Sequence, residues 1–252
     1  MEENINVDSL WLIDKRDTSG KHANVYHGNF VPQIPNNLIR RYTNERDLVL
    51  DLFMGSGTTL FECETLNRDF IGFDINPDII NYVNTKMDKN SNIYYDIHNC
   101  DVTSDLFKEH INKSLKEINK NNIDFFIAHP PYMDIIKFTN LEFDLSKINS
   151  VDKFTEKFIS SIKNAYDFLS NNKYFAIVMG DVYKNSEVIP LGFYAMNAIR
   201  QNFKVKLKGT IIKNIEGNRG KLGVNSIWKA RALKSDYFIF KHEYIFVFKK
   251  IK

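Results

Sequence analysis

The run Asp47–Thr59, DLVLDLFMGSGTT, limits what this chain can fold into more than any other stretch. LVLDLF (48–53) is apolar almost throughout, as a strand buried on both faces of a parallel sheet must be. Gly55 and Gly57 follow. A backbone without Cβ there can take positive φ and pass close to a ligand. Thr58 and Thr59 then open a helix whose first N–H groups have no partner within it. Strand, glycine turn and helix in that order form the first unit of an α/β sheet. Ligands of such sheets sit beyond the carboxyl ends of the strands. Leu60 stands where a GxGxxG dinucleotide motif needs its third glycine, and no Lys-Ser/Thr follows as in a phosphate loop.

Two acids extend the pattern. Asp74 ends the next apolar run, FIGFDI (70–75), about twenty residues on, where a carboxylate can take two ribose hydroxyls. Asp101 ends IYYDIHNCD (93–101) and is expected near an adenine amino group. A fourth strand, IDFFIAH (123–129), runs into His129-Pro130-Pro131-Tyr132. Two prolines fix φ and remove two N–H donors, which leaves a stiff loop with free carbonyl acceptors. Tyr132 adds an aromatic face for a flat ring.

Helices are expected at 35–43, 58–67, 77–88 and 105–120. Val151–Ser170 has apolar residues at 154, 158, 162, 165 and 169, a helical period. Another helix is expected at 190–202, and strands at 174–181, 204–213 and 244–250. Residues 1–30 read as irregular, and 214–237, with Gly217, Gly220, Gly223 and scattered cations, as a loop. Strands alternating with helices predict a doubly wound α/β sheet, mostly parallel, with the last two strands antiparallel neighbours at one edge. One domain is expected over 1–252, with an N-terminal segment at 1–46, a core at 47–203 and final strands at 204–252.

Charge is uneven. Residues 204–252 hold 13 Lys and Arg against 3 Asp and Glu, while 1–203 hold 21 against 28. A basic end on an acidic body predicts a local polyanion contact. Arg219, Lys221, Lys229 and Arg231 are the candidate phosphate ligands, with Trp228 as a wedge or stacking surface. Phe138–Lys147 is expected to form the other lip of the cleft. The two cysteines, Cys63 and Cys100, lack metal-ligand spacing and read as buried small hydrophobes of a reducing compartment, so no metal site is expected. No apolar run approaches the ~20 residues of a membrane span, and a cytoplasmic location is expected.

Asp51–Thr59 resembles the cofactor motif of bacterial DNA amino-methyltransferases with an FxGSGTT signature. His129–Tyr132 resembles their (Asp/Asn/Ser)-Pro-Pro-(Tyr/Phe/Trp) motif. PNNLIRRYT (35–43) resembles the helix flanking the methionine end of their cofactor, and HEYIFVFKK (242–250) their closing strands. The resemblance implies a seven-stranded Rossmann-like methyltransferase sheet, with S-adenosylmethionine as donor and adenine N6 or cytosine N4 as acceptor. By position, Phe53, Gly55 and Gly57 wrap the cofactor, Asp74 takes its ribose and Asp101 its adenine. Asp51, Met54, Ser56, Thr58, Ile75 and Val102 complete that site. His129 and the Pro130 carbonyl hold the target amine, beside Pro131, and Tyr132 stacks on the base.

The departure is His129, where the family has Asp, Asn or Ser. A neutral imidazole accepts through one nitrogen and an imidazolium through none. The larger acceptor leans the expectation toward adenine N6, with cytosine N4 open. An RNA base methyltransferase and a non-catalytic nucleic-acid-binding subunit are the other functions weighed. DNA is the expected partner, RNA a second. A restriction-modification setting is expected, and with no obvious large target-recognition domain in the sequence, sequence choice is expected to rest on the cleft loops, on a homodimer, or on a restriction or specificity subunit.

Overall fold

The computed structural model describes residues 5–23, 28–88, 90–136, 138–141, 144–215 and 225–252. One large sheet runs through it, its strands lying side by side in the order 10–11, 205–214, 242–250, 169–179, 123–128, 48–51, 69–74 and 95–99. In chain order the strands are β1 (Leu10–Trp11), β2 (Leu48–Asp51), β3 (Asp69–Asp74), β4 (Tyr95–Asn99), β5 (Ile123–Ala128), β6 (Leu169–Met179), β9 (Val205–Asn214) and β10 (His242–Lys250). β7 (Val182–Lys184) and β8 (Glu187–Ile189) form a separate hairpin. The helices are α1 (Gln33–Tyr42), α2 (Thr58–Thr65), α3 (Pro77–Lys86), α4 (Asp105–Glu117), α5 (Val151–Phe168), α6 (Leu191–Asn202) and α7 (Asn225–Lys234).

β2 pairs in parallel with β3 on one side and β5 on the other. The chain goes outward from β2 through β3 to β4 and then returns to the far side of β2. The crevice between the ends of β2 and β5 is therefore a topological switch point. Both sheet faces are covered. Leu48 and Leu50 point into a core with Phe107 of α4, Phe158 of α5 and Leu191 of α6. Val49, between them, joins Leu38 of α1, Leu60 of α2 and Val83 of α3. A strand buried on both faces has no polar side to alternate with, which is why β2 and β5 are continuously apolar.

The expected sheet holds, with differences at one side. An eighth strand, β1, pairs in parallel with β9, where residues 1–30 read as irregular. β10 is antiparallel to both β9 and β6, so the reversed strand lies inside the sheet, with β9 and β1 beyond it. The loop expected over 214–237 is corrected in part, because residues 225–234 form α7. That decamer, NSIWKARALK, carries Ala, Leu, Lys and Arg, all good helix formers, and lies beyond the three glycines that suggested a loop. No described helix is long and apolar enough to cross a membrane.

Candidate active site

The glycine turn is held from inside. Asp51, at the end of β2, accepts from the Phe53 N–H at 3.0 Å and from the Thr59 hydroxyl at 2.5 Å. It is 1% exposed, and burial raises its carboxyl to about 7. Gly55 and Gly57 both take positive φ, at 53° and 85°. Gly57 precedes α2, and a Cβ there would stand 3.1–3.2 Å from Phe61 and Val83. Ser56 turns toward the N-terminal segment, where its hydroxyl accepts from Asn29 at 2.5 Å.

Asp74 crosses from β3 to this turn. One carboxylate oxygen accepts the Gly55 N–H and the other the Asn76 N–H, both at 2.9 Å. Burial raises its carboxyl to about 6, against the lowering effect of those bonds. Asp101 is anchored by the Thr103 backbone N–H and hydroxyl, both at 2.8 Å.

These residues open onto one cavity of about 160 Å³ beyond the strand ends. Of the expected cofactor set, Phe53, Met54, Gly55, Thr58, Asp74, Ile75, Asp101 and Val102 line it. Asp51, Ser56 and Gly57 stand behind the lining and shape the turn. His129, Pro130, Pro131 and Tyr132 line the same cavity from the end of β5, so the two motifs face each other across the β2–β5 crevice. Phe138 closes the opposite lip, 3.1 Å from where a Gly28 Cβ would stand. The lip is braced by buried Asp144, which accepts from the Thr139 N–H and hydroxyl and from the Ser146 N–H, all at 2.8 Å.

The clamp is tightly supported. His129 Nε2 lies 2.9 Å from the Tyr132 hydroxyl, and its ring sits 5.1 Å from Phe30. Burial holds the imidazole below its ordinary value, and Lys213 lowers it further against the opposite pull of Glu243. Tyr132 lies over Gly180, where a Cβ would stand 3.1 Å from its ring. Its hydroxyl donates to Glu243 at 3.3 Å. Met133, next in the chain, holds a positive φ of 52°, a strained conformation found where surroundings over-determine the backbone.

Residues 2–86, which include the glycine turn and Asp74, match the family model described as DNA methylase, the N6/N4 amino-methylases. That stretch, about a third of the chain, is similar to the N6/N4 DNA methylases. Among its relatives is the Type II methyltransferase M.MjaII of Methanocaldococcus jannaschii, 34% identical over 111 residues. That match covers 44% of this chain and 19% of the relative. The Type II methyltransferase M1.MboII of Moraxella bovis is 41% identical over 71 residues, covering 28% of this chain and 27% of the relative. The matched stretches thus span less than a third of either relative's own length. Among solved structures, TrmN from Thermus thermophilus superposes with a TM-score of 0.55 at 14% identity, over 89% of this chain and 50% of that one. SMU.1697c, a methyltransferase from Streptococcus mutans solved with SAH, gives 0.52 at 12%, over 87% and 97%. At such identities these two likenesses concern the fold alone, a Rossmann-like α/β sheet of the kind methyltransferases have.

The expected nucleic-acid residues are only partly within view. Arg219 and Lys221 lie outside the described residues, and of Trp228 only the backbone, on α7, is described. Lys229 and Arg231 are exposed on α7. The segment after α7 is tied to the β7–β8 hairpin, which follows β6 at the cavity edge of the sheet. The Tyr183 hydroxyl donates to the Ser235 carbonyl at 3.3 Å, and the Tyr183 ring stacks on Tyr237 at 4.5 Å.

Several site residues had no sequence signal of their own. Asn29 and Phe30 come from the stretch read as irregular. Lys213 and Glu243 sit in strands that read only as sheet. A charged residue at the head of the apolar run YIFVF was the one available hint for Glu243.

Proposed function

We propose that this chain transfers a methyl group from S-adenosylmethionine to the exocyclic amine of a DNA base, adenine N6, flipped into the cavity. The observation that carries this is that the glycine turn with its two acids and the diproline clamp share one cavity at the switch point. The names of the relatives, Type II methyltransferases, support DNA as substrate and a restriction-modification setting.

The cavity suits the donor. Asp74 and Asp101 offer acceptors for ribose hydroxyls and an adenine amine, while Phe53, Met54, Ile75 and Val102 supply apolar walls. Bound there, S-adenosylmethionine supplies an electrophilic methyl group. The target nitrogen resists alkylation because its lone pair is delocalised into the base. Two acceptors on its hydrogens, His129 and the Pro130 carbonyl, draw it toward tetrahedral geometry and free that lone pair. As the amine takes that methyl group it would release one proton to solvent. Tyr132 packs against the base, and the dry walls keep competing water from the methyl group.

The choice of adenine rests on covalent reach, since in the family this chain resembles Asp or Asn at the first clamp position goes mostly with adenine and Ser with cytosine. Imidazole Nδ1 is attached to Cγ, as Oδ1 is in Asn and Asp, whereas the Ser oxygen is attached to Cβ. The exposed cations of α7 supply phosphate contacts for duplex DNA, whose target base must leave the stack to reach the sheet edge. Incubation with tritiated S-adenosylmethionine and separate DNA and RNA pools tests the proposal. Label in DNA on N6-methyladenine supports it. Label only in RNA, or in neither pool, overturns it.

A further inference from the structure

Behind the clamp lies a buried polar chain that the proposed chemistry has not used. Glu243 and Lys213 are directly cross-strand in the β9–β10 register and form an ion pair at 3.2 Å. They are 7% and 6% exposed. Glu243 also receives the Tyr132 hydroxyl at 3.3 Å, and Tyr132 meets His129 Nε2 at 2.9 Å. Because β10 inserts between β9 and β6, the start of β10 lies behind the end of β5.

We propose that Glu243, secured by Lys213, is a positioning residue that fixes the His129 tautomer through Tyr132 and leaves Nδ1 as the acceptor for substrate. An ionised carboxylate only accepts, so the single Tyr132 hydroxyl hydrogen goes to Glu243. The Tyr132 oxygen is then an acceptor toward His129, which must donate from Nε2–H. A neutral imidazole protonated at Nε2 bears its lone pair on Nδ1. No described residue hydrogen-bonds Nδ1, and His129 lines the cavity. The Lys213–Glu243 pair thereby turns an ambiguous side chain into a defined acceptor, attached to Cγ as the amide oxygen of Asn is. The catalytic meaning of this chain rests on the proposed amine methylation, but the tautomer does not.

The test is nitrogen NMR of the protein labelled with ¹⁵N-histidine, with His129 assigned by its loss in His129→Asn. Wild type should show a protonated Nε2 and an unprotonated Nδ1. Tyr132→Phe keeps the ring and the Lys213–Glu243 pair but cuts the link. The double variant Lys213→Met, Glu243→Leu removes the pair without stranding one buried charge. Both should lose the single tautomer, with S-adenosylmethionine affinity within about 3-fold of wild type and methyl transfer down about 10-fold or more. If the double variant fails to fold, Tyr132→Phe carries the test alone. Wild type protonated on Nδ1, or folded variants with an unchanged His129 spectrum, would overturn the proposal. A wild-type tautomer that responds to the variants, in a protein that methylates neither DNA nor RNA, would support this inference and sink the proposed reaction.

Discussion

The Asp74 carboxylate accepts the backbone N–H of Gly55 at 2.9 Å, so the acid that ends β3 holds the glycine turn that ends β2. A residue expected only to meet a ribose also shapes the loop that approaches the ligand. Asp74→Ala should therefore lose both. A charge-assisted hydrogen bond contributes about 1.5–3 kcal/mol, so S-adenosylmethionine affinity should fall about 10- to 100-fold in calorimetry. Affinity unchanged within 2-fold would remove Asp74 from the site.

Asp51 makes a prediction about stability and pH. Its folded value, about 7, lies above its ordinary 3.8, so between those values the folded state binds the extra proton. Its contribution is fully present below about pH 4 and is lost as pH rises through about 7. Asn at this position can still accept from Phe53 and donate to the Thr59 oxygen. Asp51→Asn should raise the melting temperature at pH 8 and leave it nearly unchanged at pH 4. An equal shift at both pH values would contradict the buried-carboxyl account.

His129 must be neutral to accept. Burial lowers its value below the ordinary one, so it stays neutral further into acid than a free histidine. The methyl-transfer rate should hold through about pH 6.5 and decline only below it. His129→Asn, which keeps an acceptor on Cγ, should retain far more activity than His129→Ala, for which about a 100-fold loss is expected. Equal loss in both variants would undercut the acceptor role.

The α7 contact is tested by salt. Each phosphate neutralised steepens the dependence of log K on log salt by about 0.9. Lys229→Ala should weaken binding to all duplex sequences alike and flatten that slope by about 1. A slope identical to wild type would place Lys229 outside the DNA contact.

Much of the site was legible because its physics is local. β2, β3 and β5 are short apolar runs closed by a glycine turn, an acid or two prolines, and each signal lies within a few residues. α5 announced itself by its apolar period. The losses have local reasons too. β1 is two residues long, too short for alternation to register. The β7–β8 hairpin turns on Asn185 and Ser186, at φ of 53° and 62°, without a glycine to mark it. Three glycines before α7 outweighed its helix formers. The Lys213–Glu243 pair was beyond local inference, since its members meet only through the β9–β10 register, with α7 between them.

The central claim is that His129 and the glycine turn serve one reaction on a DNA amine. DNA from cells expressing this chain, read by sequencing that detects modified bases, tests it most directly. The account predicts N6-methyladenine in a defined sequence context, absent when His129→Ala is expressed at the same level. Unmodified DNA from cells holding folded, S-adenosylmethionine-binding protein would contradict it.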